Sequence, residues 1–354
     1  MGRKMKVIIV SPTPAQQFVL NDSRALGQWH DVTLFNGLRG KNLKTFYRCI
    51  RETDFVLCWF GCRAAALAVF LSKLAKKRTA IIAGGQDVAY VQEIRHGMMG
   101  KIGHRGFIKY AFTNCDAVLA VSKFSAAELL RWARPRSLCV IYNGVDVPLK
   151  IIDPEAREGV LCIARITRET IELKGIEHLL KAARLLPHVP FTLVGHVSKD
   201  GYNRIQPLLT KNVKLTGALK HESVLSLCST AKVYVQPSYY ESFGVGLVEA
   251  MAAGCVPVVT RAGALPEVVD DTGFYIPFGD EYALAQAVEN AMQFTEMGLR
   301  ARDRVLRCFT LQRRAESINR LIDEMIYHRK GPDDLILRNH LGEATNSGRT
   351  IERC

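Results

Sequence analysis

Residues 237 to 257 read Pro237-Ser238-Tyr239-Tyr240-Glu241-Ser242-Phe243-Gly244-Val245-Gly246-Leu247-Val248-Glu249-Ala250-Met251-Ala252-Ala253-Gly254-Cys255-Val256-Pro257. Glu241 falls in a polar, glycine-bearing loop. Glu249 falls in an apolar, alanine-rich run that stops at Gly254, a residue suited to the left-handed end of a helix. The run is predicted to be a helix over 246–253, and Gly254-x-x-Pro257 leads out of it into a strand carrying Val258 and Val259. The first turn of such a helix leaves backbone N–H groups without an internal acceptor. The helix dipole makes that end positive, so it suits a phosphate. Carboxylates on either side suit the hydroxyls of sugar rings, because hydrogen bonds to a charged acceptor are the stronger ones. Pairs of glutamates at this spacing are common in helical proteins. The glycine-aromatic-glycine core between these two, with the Gly-x-x-Pro exit, makes a ligand site the expectation, and a site for a nucleotide-linked sugar would have this form.

Outward from this stretch, short apolar runs alternate with helical patterns. Strands are predicted at 5–10, 31–35, 54–59, 79–83, 117–121 and 138–142, and again at 159–163, 190–194, 213–216, 232–235, 256–260 and 273–276. Helical stretches separate most of the first-half strands, for example 63–76 and 123–134, and helices are predicted in the second half at 173–186, 221–230, 246–253, 281–294 and 311–327. Ser122 is the expected cap of 123–134, with Ser125 and Glu128 as a capping box. This alternation is the rhythm of doubly wound parallel sheets, and 354 residues exceed one typical core. The fold expected is α/β, with two Rossmann-like domains facing each other across a cleft. The first spans 1–147, a polar linker 148–158, the second 159–327 and a polar tail 328–354. Ligands of such sheets sit at the carboxyl ends of the strands. Ser11-Pro12-Thr13-Pro14 follows the first strand where a G-x-G-x-x-G would stand in an ordinary NAD site.

Apolar residues make up 48% of the chain and the mean hydropathy is +0.03, which describes a globular protein rather than a disordered one. The longest apolar stretch, 55–71, is broken by Arg63, and the apolar run after the N-terminal basic residues is too short for a signal peptide. A cytoplasmic protein with reduced cysteines is expected, and Cys58 and Cys62 have no partners at metal-site spacing. The net charge of +14 is lopsided: residues 1–147 carry 22 Lys/Arg against 9 Asp/Glu, and 148–354 carry 26 against 25. Clusters such as 73–78 and 131–136 suit a solvated face. They also suit an anionic partner for the first half: a lipid headgroup surface, a phosphorylated acceptor or nucleic acid.

Arg165 closes the first strand of the second half and Lys174-Gly175 opens the next helix, so both are expected at the same sheet edge as the glutamates. Two cations there would neutralise a diphosphate and the charge that builds on a departing one. With these residues in view, the chain resembles the retaining glycosyltransferases of the GT-B fold, close to glycosyltransferase family 4. The resemblance is carried by Arg165, Lys174-Gly175, Gly217-Ala218-Leu219, Glu241-Ser242-Phe243-Gly244, Glu249-Ala250, Gly254 and Pro257. In the first half Ala120-Val121-Ser122-Lys123-Phe124 and Asn143-Gly144-Val145-Asp146 add to it, and the match runs from residue 5 to about 327.

The resemblance implies a donor, UDP- or GDP-linked, with no further cofactor or metal required. It implies that Arg165 and Lys174 hold the diphosphate, Glu249 the ribose hydroxyls and Glu241 the transferred sugar. Ser242 and the backbone of Phe243, Gly244 and Val245 would hold that sugar's hydroxyls and the β-phosphate. Leu219 would face the base, and Gly195 would line the cleft. Retention is attributed in this family to same-face attack, and closure of the cleft excludes water. The sequence departs from the family in two places. Arg165 and Lys174 stand nine residues apart, which makes Arg168 a second candidate for the arginine. The family's His-Gly-x-Asp reads Gly84-Gly85-Gln86-Asp87, leaving Asp87 to orient the acceptor or the sugar. His96 and His104 fall in a basic, glycine-spaced loop over 95–106 that could meet the acceptor or a membrane. The function expected is transfer of a sugar to an acceptor, lipid-linked or otherwise anionic, at the cytoplasmic membrane face. The rivals are an epimerase or phosphorylase on the same scaffold, and a basic nucleic-acid-binding protein, which lacks the aromatic stacking clusters that class needs.

Overall fold

The computed structural model describes residues 4–11, 16–36, 43–150 and 152–327. The expectations for Pro12-Thr13-Pro14 and for the tail 328–354 lie outside the described residues. The apolar runs form two parallel sheets of six strands each. Strands β1 (Lys6–Ser11), β2 (Asp31–Asn36), β3 (Phe55–Trp59), β4 (Arg78–Ala83), β5 (Ala117–Ala120) and β6 (Leu138–Val140) are ordered β2-β1-β3-β4-β5-β6. Strands β7 (Glu158–Ile163), β8 (Phe191–Val194), β9 (Val213–Gly217), β10 (Ala231–Gln236), β11 (Val256–Thr260) and β12 (Phe274–Ile276) are ordered β12-β11-β10-β7-β8-β9. Every residue of β3 and β11 is buried. Helices cover both faces of such strands, which is why they read as unbroken apolar runs rather than alternating ones. The strand order reverses once in each sheet, between β1 and β3 and between β7 and β10. Crevices for ligands open at the carboxyl ends of strands at such points.

The chain divides into a unit ending at Gly144, to which the helix Leu311–Tyr327 also belongs, and a unit Val145–Thr310. The expected span 159–327 differs from this division in its last helix. That helix packs on the helix Gln17–Leu26, with Leu311 and Ala315 against Ala25 and Trp29. Its Arg314 makes a buried bidentate pair with Asp22, at 2.6 and 2.9 Å. The expected linker 148–158 falls in the second unit, where the buried Arg157 guanidinium donates to the carbonyls of Ala231 and Ala253.

Most predicted elements form within a few residues of their expected bounds. Three helices of the second unit, Lys199–Ile205, Leu265–Val269 and Thr295–Cys308, were not marked by the apolar periodicity. The expected loop 95–106 is only partly a loop. Val91 and His96 bridge in antiparallel fashion, and a helix starts at Ile102, so His104 stands in a helical first turn. The helix Lys123–Leu130 is capped as expected by Ser122, whose Oγ accepts from the Ser125 N–H at 2.9 Å. The Ser125 N–H of the expected Ser125–Glu128 box goes to Ser122, and Glu128 pairs with Arg131 at 2.8 Å.

Candidate active site

After β7 the chain makes a tight turn before the helix Ile176–Leu185. The Thr167 N–H donates to Thr170 Oγ1 at 2.9 Å, and the Lys174 N–H to the Thr170 carbonyl at 2.8 Å. Gly175 caps the helix in the left-handed region, at φ 63°. A Cβ there would lie 2.0 Å from the Pro237 carbonyl oxygen. Only glycine lets the loop after β7 rest on the loop after β10. The Tyr239 N–H seals the two by donating to the Leu173 carbonyl at 2.9 Å.

This closeness sets the ionic core of the site. Lys174 Nζ lies 2.5 Å from Glu241 Oε2, and Gln236 Nε2 donates to the same oxygen at 2.6 Å. The Ser242 N–H donates to Oε1 at 3.2 Å, and the Glu241 carbonyl accepts from the Ala264 N–H at 2.8 Å. Glu241 is therefore fixed by both strand ends at the reversal point.

Gly244, at φ 88°, caps the helix Val245–Ala253 and supplies no capping side chain. Two helices thus begin at bare glycines beside β7 and β10, each with the positive end of its dipole at the same sheet edge. Phe243 turns its ring inward, edge to face with Phe309 at 5.5 Å between centroids, so what it offers a ligand is backbone. Glu249 lies one turn inside the helix and is buried. Burial pushes its carboxyl up to about 7, and the Asp146 charge adds to the shift. His221 Nε2 is 3.4 Å from Glu249 Oε1.

Arg165 is exposed just beyond β7, and its guanidinium makes no ion pair among the described residues. Its carbonyl accepts from the Thr170 hydroxyl at 2.6 Å. Arg168 lines a surface hollow with Asp200, Asn203 and Arg204. Gly195 follows β8 at φ 145°, where a Cβ would lie 2.1 Å from the Ala164 carbonyl oxygen. Leu219 is exposed past the end of β9. Arg165, Lys174, Gly195, Leu219, the stretch Glu241 to Val245, and Glu249 therefore share one edge of one sheet or the helix that starts there.

Asp87, expected to orient the acceptor or the sugar, lies in the first unit. Its side chain is buried, and its two carboxylate oxygens accept from the N–H groups of Gly61 and Gly85 at 2.7 and 2.8 Å. Burial pushes its carboxyl up to about 6, against the opposing pull of those amides. Asp87 ties the loop after β3 to the loop after β4. Beside it Phe60 sits at φ 70°, a left-handed conformation that costs a non-glycine residue roughly 1–2 kcal/mol.

Sequence reading missed Gln236, His221 and the charge of Asp146 on Glu249. A buried polar residue closing an apolar strand is a signal that could have found Gln236. No comparable signal marks His221. Among the described residues no three His, Cys, Asp or Glu side chains gather as a metal site.

The model of Glycosyltransferase Family 4 matches residues 3–148, and that of Glycosyl transferases group 1 matches residues 157–293. The chain belongs to the GT-B glycosyltransferases. The chain is 37% identical over 166 residues to the MMP alpha-(1->4)-mannosyltransferase of Mycolicibacterium hassiacum, covering 44% of this chain and 39% of that one. It is 31% identical over 180 residues to an uncharacterized glycosyltransferase of Methanocaldococcus jannaschii, covering 49% of this chain and 48% of the relative. The matches thus span less than half the length of these two relatives. Among solved structures, HepE of Anabaena in complex with UDP-glucose shares the fold at TM-score 0.72 and 20% identity, over 90% of this chain and all of that one. No helix among the described residues is long and apolar enough to cross a membrane.

Proposed function

We propose that this glycosyltransferase moves a sugar from a nucleoside diphosphate sugar to an acceptor with retention of configuration. The observation that carries the reading is the Lys174–Glu241 pair, set between two glycine-capped helix starts where the second sheet reverses its order. The chemistry of that edge suits the donor. Lys174 and Arg165 take the diphosphate, and the amides at Gly244 and Val245 take its β-phosphate. Glu241, steadied by Gln236, takes the hydroxyls of the transferred sugar. Glu249 takes the ribose, and the backbone at Leu219 the base. The UDP-glucose bound to HepE and the mannosyltransferase among the relatives support a nucleotide-sugar donor. The rival readings, an epimerase and a nucleic-acid-binding protein, gain no support from either family model.

In the transfer, the acceptor oxygen bonds to the sugar's anomeric carbon on the face the phosphate leaves. The carbon–phosphate oxygen bond breaks, and the departing phosphate oxygen takes the acceptor's proton. Lys174 and Arg165 stabilise the charge on that leaving group. Asp87 acts at one remove, by fixing the loops after β3 and β4. The acceptor is proposed to be lipid-linked or otherwise anionic, on the charge of the first unit, with the enzyme peripheral at the cytoplasmic membrane face.

Calorimetric titration with UDP, GDP and their sugars tests the donor site. Glu249→Ala and Lys174→Ala should each weaken binding of the preferred nucleotide by roughly 10–100-fold, the cost of a charge-assisted hydrogen bond. Unchanged affinity in both variants would remove the basis of the reading.

A further inference from the structure

The helices Leu43–Glu52, Arg63–Leu74 and Ile102–Asn114 lead into β3, β4 and β5 respectively. Each crossover steps in the same direction across the first sheet, so with right-handed connections all three lie on one face of it. Their inner sides share one core that includes Phe46, Ile50, Ala68, Val69, Ile108 and Phe112. The last two helices run side by side. Arg63 donates to the Gly103 carbonyl at 3.2 Å and stacks 5.3 Å from the Phe107 ring centre, and Lys73 reaches Asn114 Oδ1 at 2.7 Å.

The outer side of this layer is unlike an ordinary solvated face. Leu43, Phe70, Leu74, Ile102, Phe107 and Tyr110 are all exposed, Ile102 by 89%. The three helices carry seven Lys/Arg and a single acidic residue, Glu52. Lys76, Lys77, Arg78 and Lys101 flank them. On the opposite face, the helices Gln17–Leu26 and Leu311–Tyr327 carry four basic and four acidic residues. Eleven of the 22 Lys/Arg of residues 1–147 thus lie on or beside the helices that carry these exposed apolar side chains, although Arg78 pairs with Asp116 and Arg105 lies over Trp132.

We propose that this three-helix face docks on an anionic lipid bilayer. An interface that takes apolar side chains into the acyl boundary and lysines among anionic headgroups matches both features at once. Nucleic acid would answer the charge but leave the aliphatic Leu43, Leu74 and Ile102 in water. The helices Arg63–Leu74 and Ile102–Asn114 begin at the carboxyl ends of β3 and β4, so the face reaches the edge where this sheet would receive an acceptor. The inference deepens the proposed function by naming the surface that meets a lipid-linked acceptor, and it rests on that reading only for the acceptor's place.

The test is co-sedimentation of the full chain with vesicles of phosphatidylcholine alone and of phosphatidylcholine with phosphatidylglycerol. Binding is expected to the anionic vesicles only, and to fall as salt rises. Lys101→Glu with Lys109→Glu should lower the partition coefficient at least tenfold, and Ile102→Ser with Phe107→Ser by a similar factor. Arg313→Glu with Arg320→Glu makes the same change in net charge on the opposite face and should leave binding within twofold of the parent. Melting temperature and nucleotide binding are measured on every variant. Retained nucleotide binding in a chain that ignores anionic vesicles sinks the bilayer surface and spares the donor site. Equal losses from the two charge reversals would assign binding to net charge and overturn the proposal. So would absence of binding to either vesicle.

Discussion

Glu249 sits in an apolar helix turn, and burial holds its carboxyl up to about 7, with the Asp146 charge pushing the same way. A ribose hydroxyl donates best to the ionised form, so a proton must leave before the grip is complete. Nucleotide affinity is therefore expected to rise from pH 6 to 8, by no more than tenfold per pH unit below about 7. Glu249→Gln should flatten the profile. Calorimetry across that range decides it; a flat profile in the parent chain would remove Glu249 from the ribose. The effect on folding has the opposite sign to that of a salt-bridged acid. A carboxyl raised above its unfolded value binds its proton more tightly in the fold, so its contribution to stability grows as pH falls through 7 toward 4.5. Asp87, raised to about 6, acts in the same sense. The sequence exposed Glu241, Lys174 and Glu249 because each stands in a local pattern of glycines and apolar residues. It hid Gln236 and His221 because their roles depend on which strand ends and helices become neighbours. The surroundings of Asp87 were hidden for a related reason: the Gly61 and Gly85 amides that its carboxylate accepts from come from loops that only the fold brings together.

At the scale of elements, the two glycines that start the site's helices are not equivalent. Both take left-handed backbone, at φ 63° for Gly175 and 88° for Gly244. At Gly244 the nearest atoms to an added Cβ lie at 3.5 Å, ordinary contact, so Gly244→Ala costs only the backbone strain of about 1–2 kcal/mol. At Gly175 the added Cβ would meet a backbone carbonyl at 2.0 Å, and nothing flexible can yield. Gly175→Ala should cost about 1–3 kcal/mol more than Gly244→Ala. It should also weaken nucleotide binding, because the loop carrying Lys174 must lift from Pro237. Thermal unfolding and calorimetry of the two variants give the comparison; equal losses of stability would show that the loop contact is not limiting. Strands were readable at this scale because double burial writes them as solid apolar runs. Thr295–Cys308 was not, because only four of its 14 residues are buried and six of the other ten are charged.

At the scale of the whole chain, order along the sequence misplaced the final helix. Leu311–Tyr327 follows the second unit in sequence, yet it belongs to the first. Its anchor is a charge that composition alone would place in solvent. Arg314 is 4% exposed, pairs with Asp22 through both Nε and Nη2, and donates through Nη1 to the carbonyls of Ile141 and Tyr142 at 3.0 and 2.9 Å. The Trp59 indole donates to Asp22 at 3.0 Å, so the buried carboxylate is shared by a strand end and the returning helix. Such a pair adds little net stability over apolar side chains of the same shape, but removal of one partner leaves a buried charge exposed to no solvent. Arg314→Met should therefore destabilise the first unit by about 3–5 kcal/mol. Asp22→Asn joined to Arg314→Met should cost less than the two single changes added together, since no unpaired charge remains. Because two units need not unfold as one, the measurement is amide exchange in β1 and β3 rather than a single denaturation midpoint. Protection there should fall in Arg314→Met and recover in part in the double variant. Unchanged protection in the single variant would mean that the helix is held by its apolar face alone, through Leu311, Ala315 and Trp29.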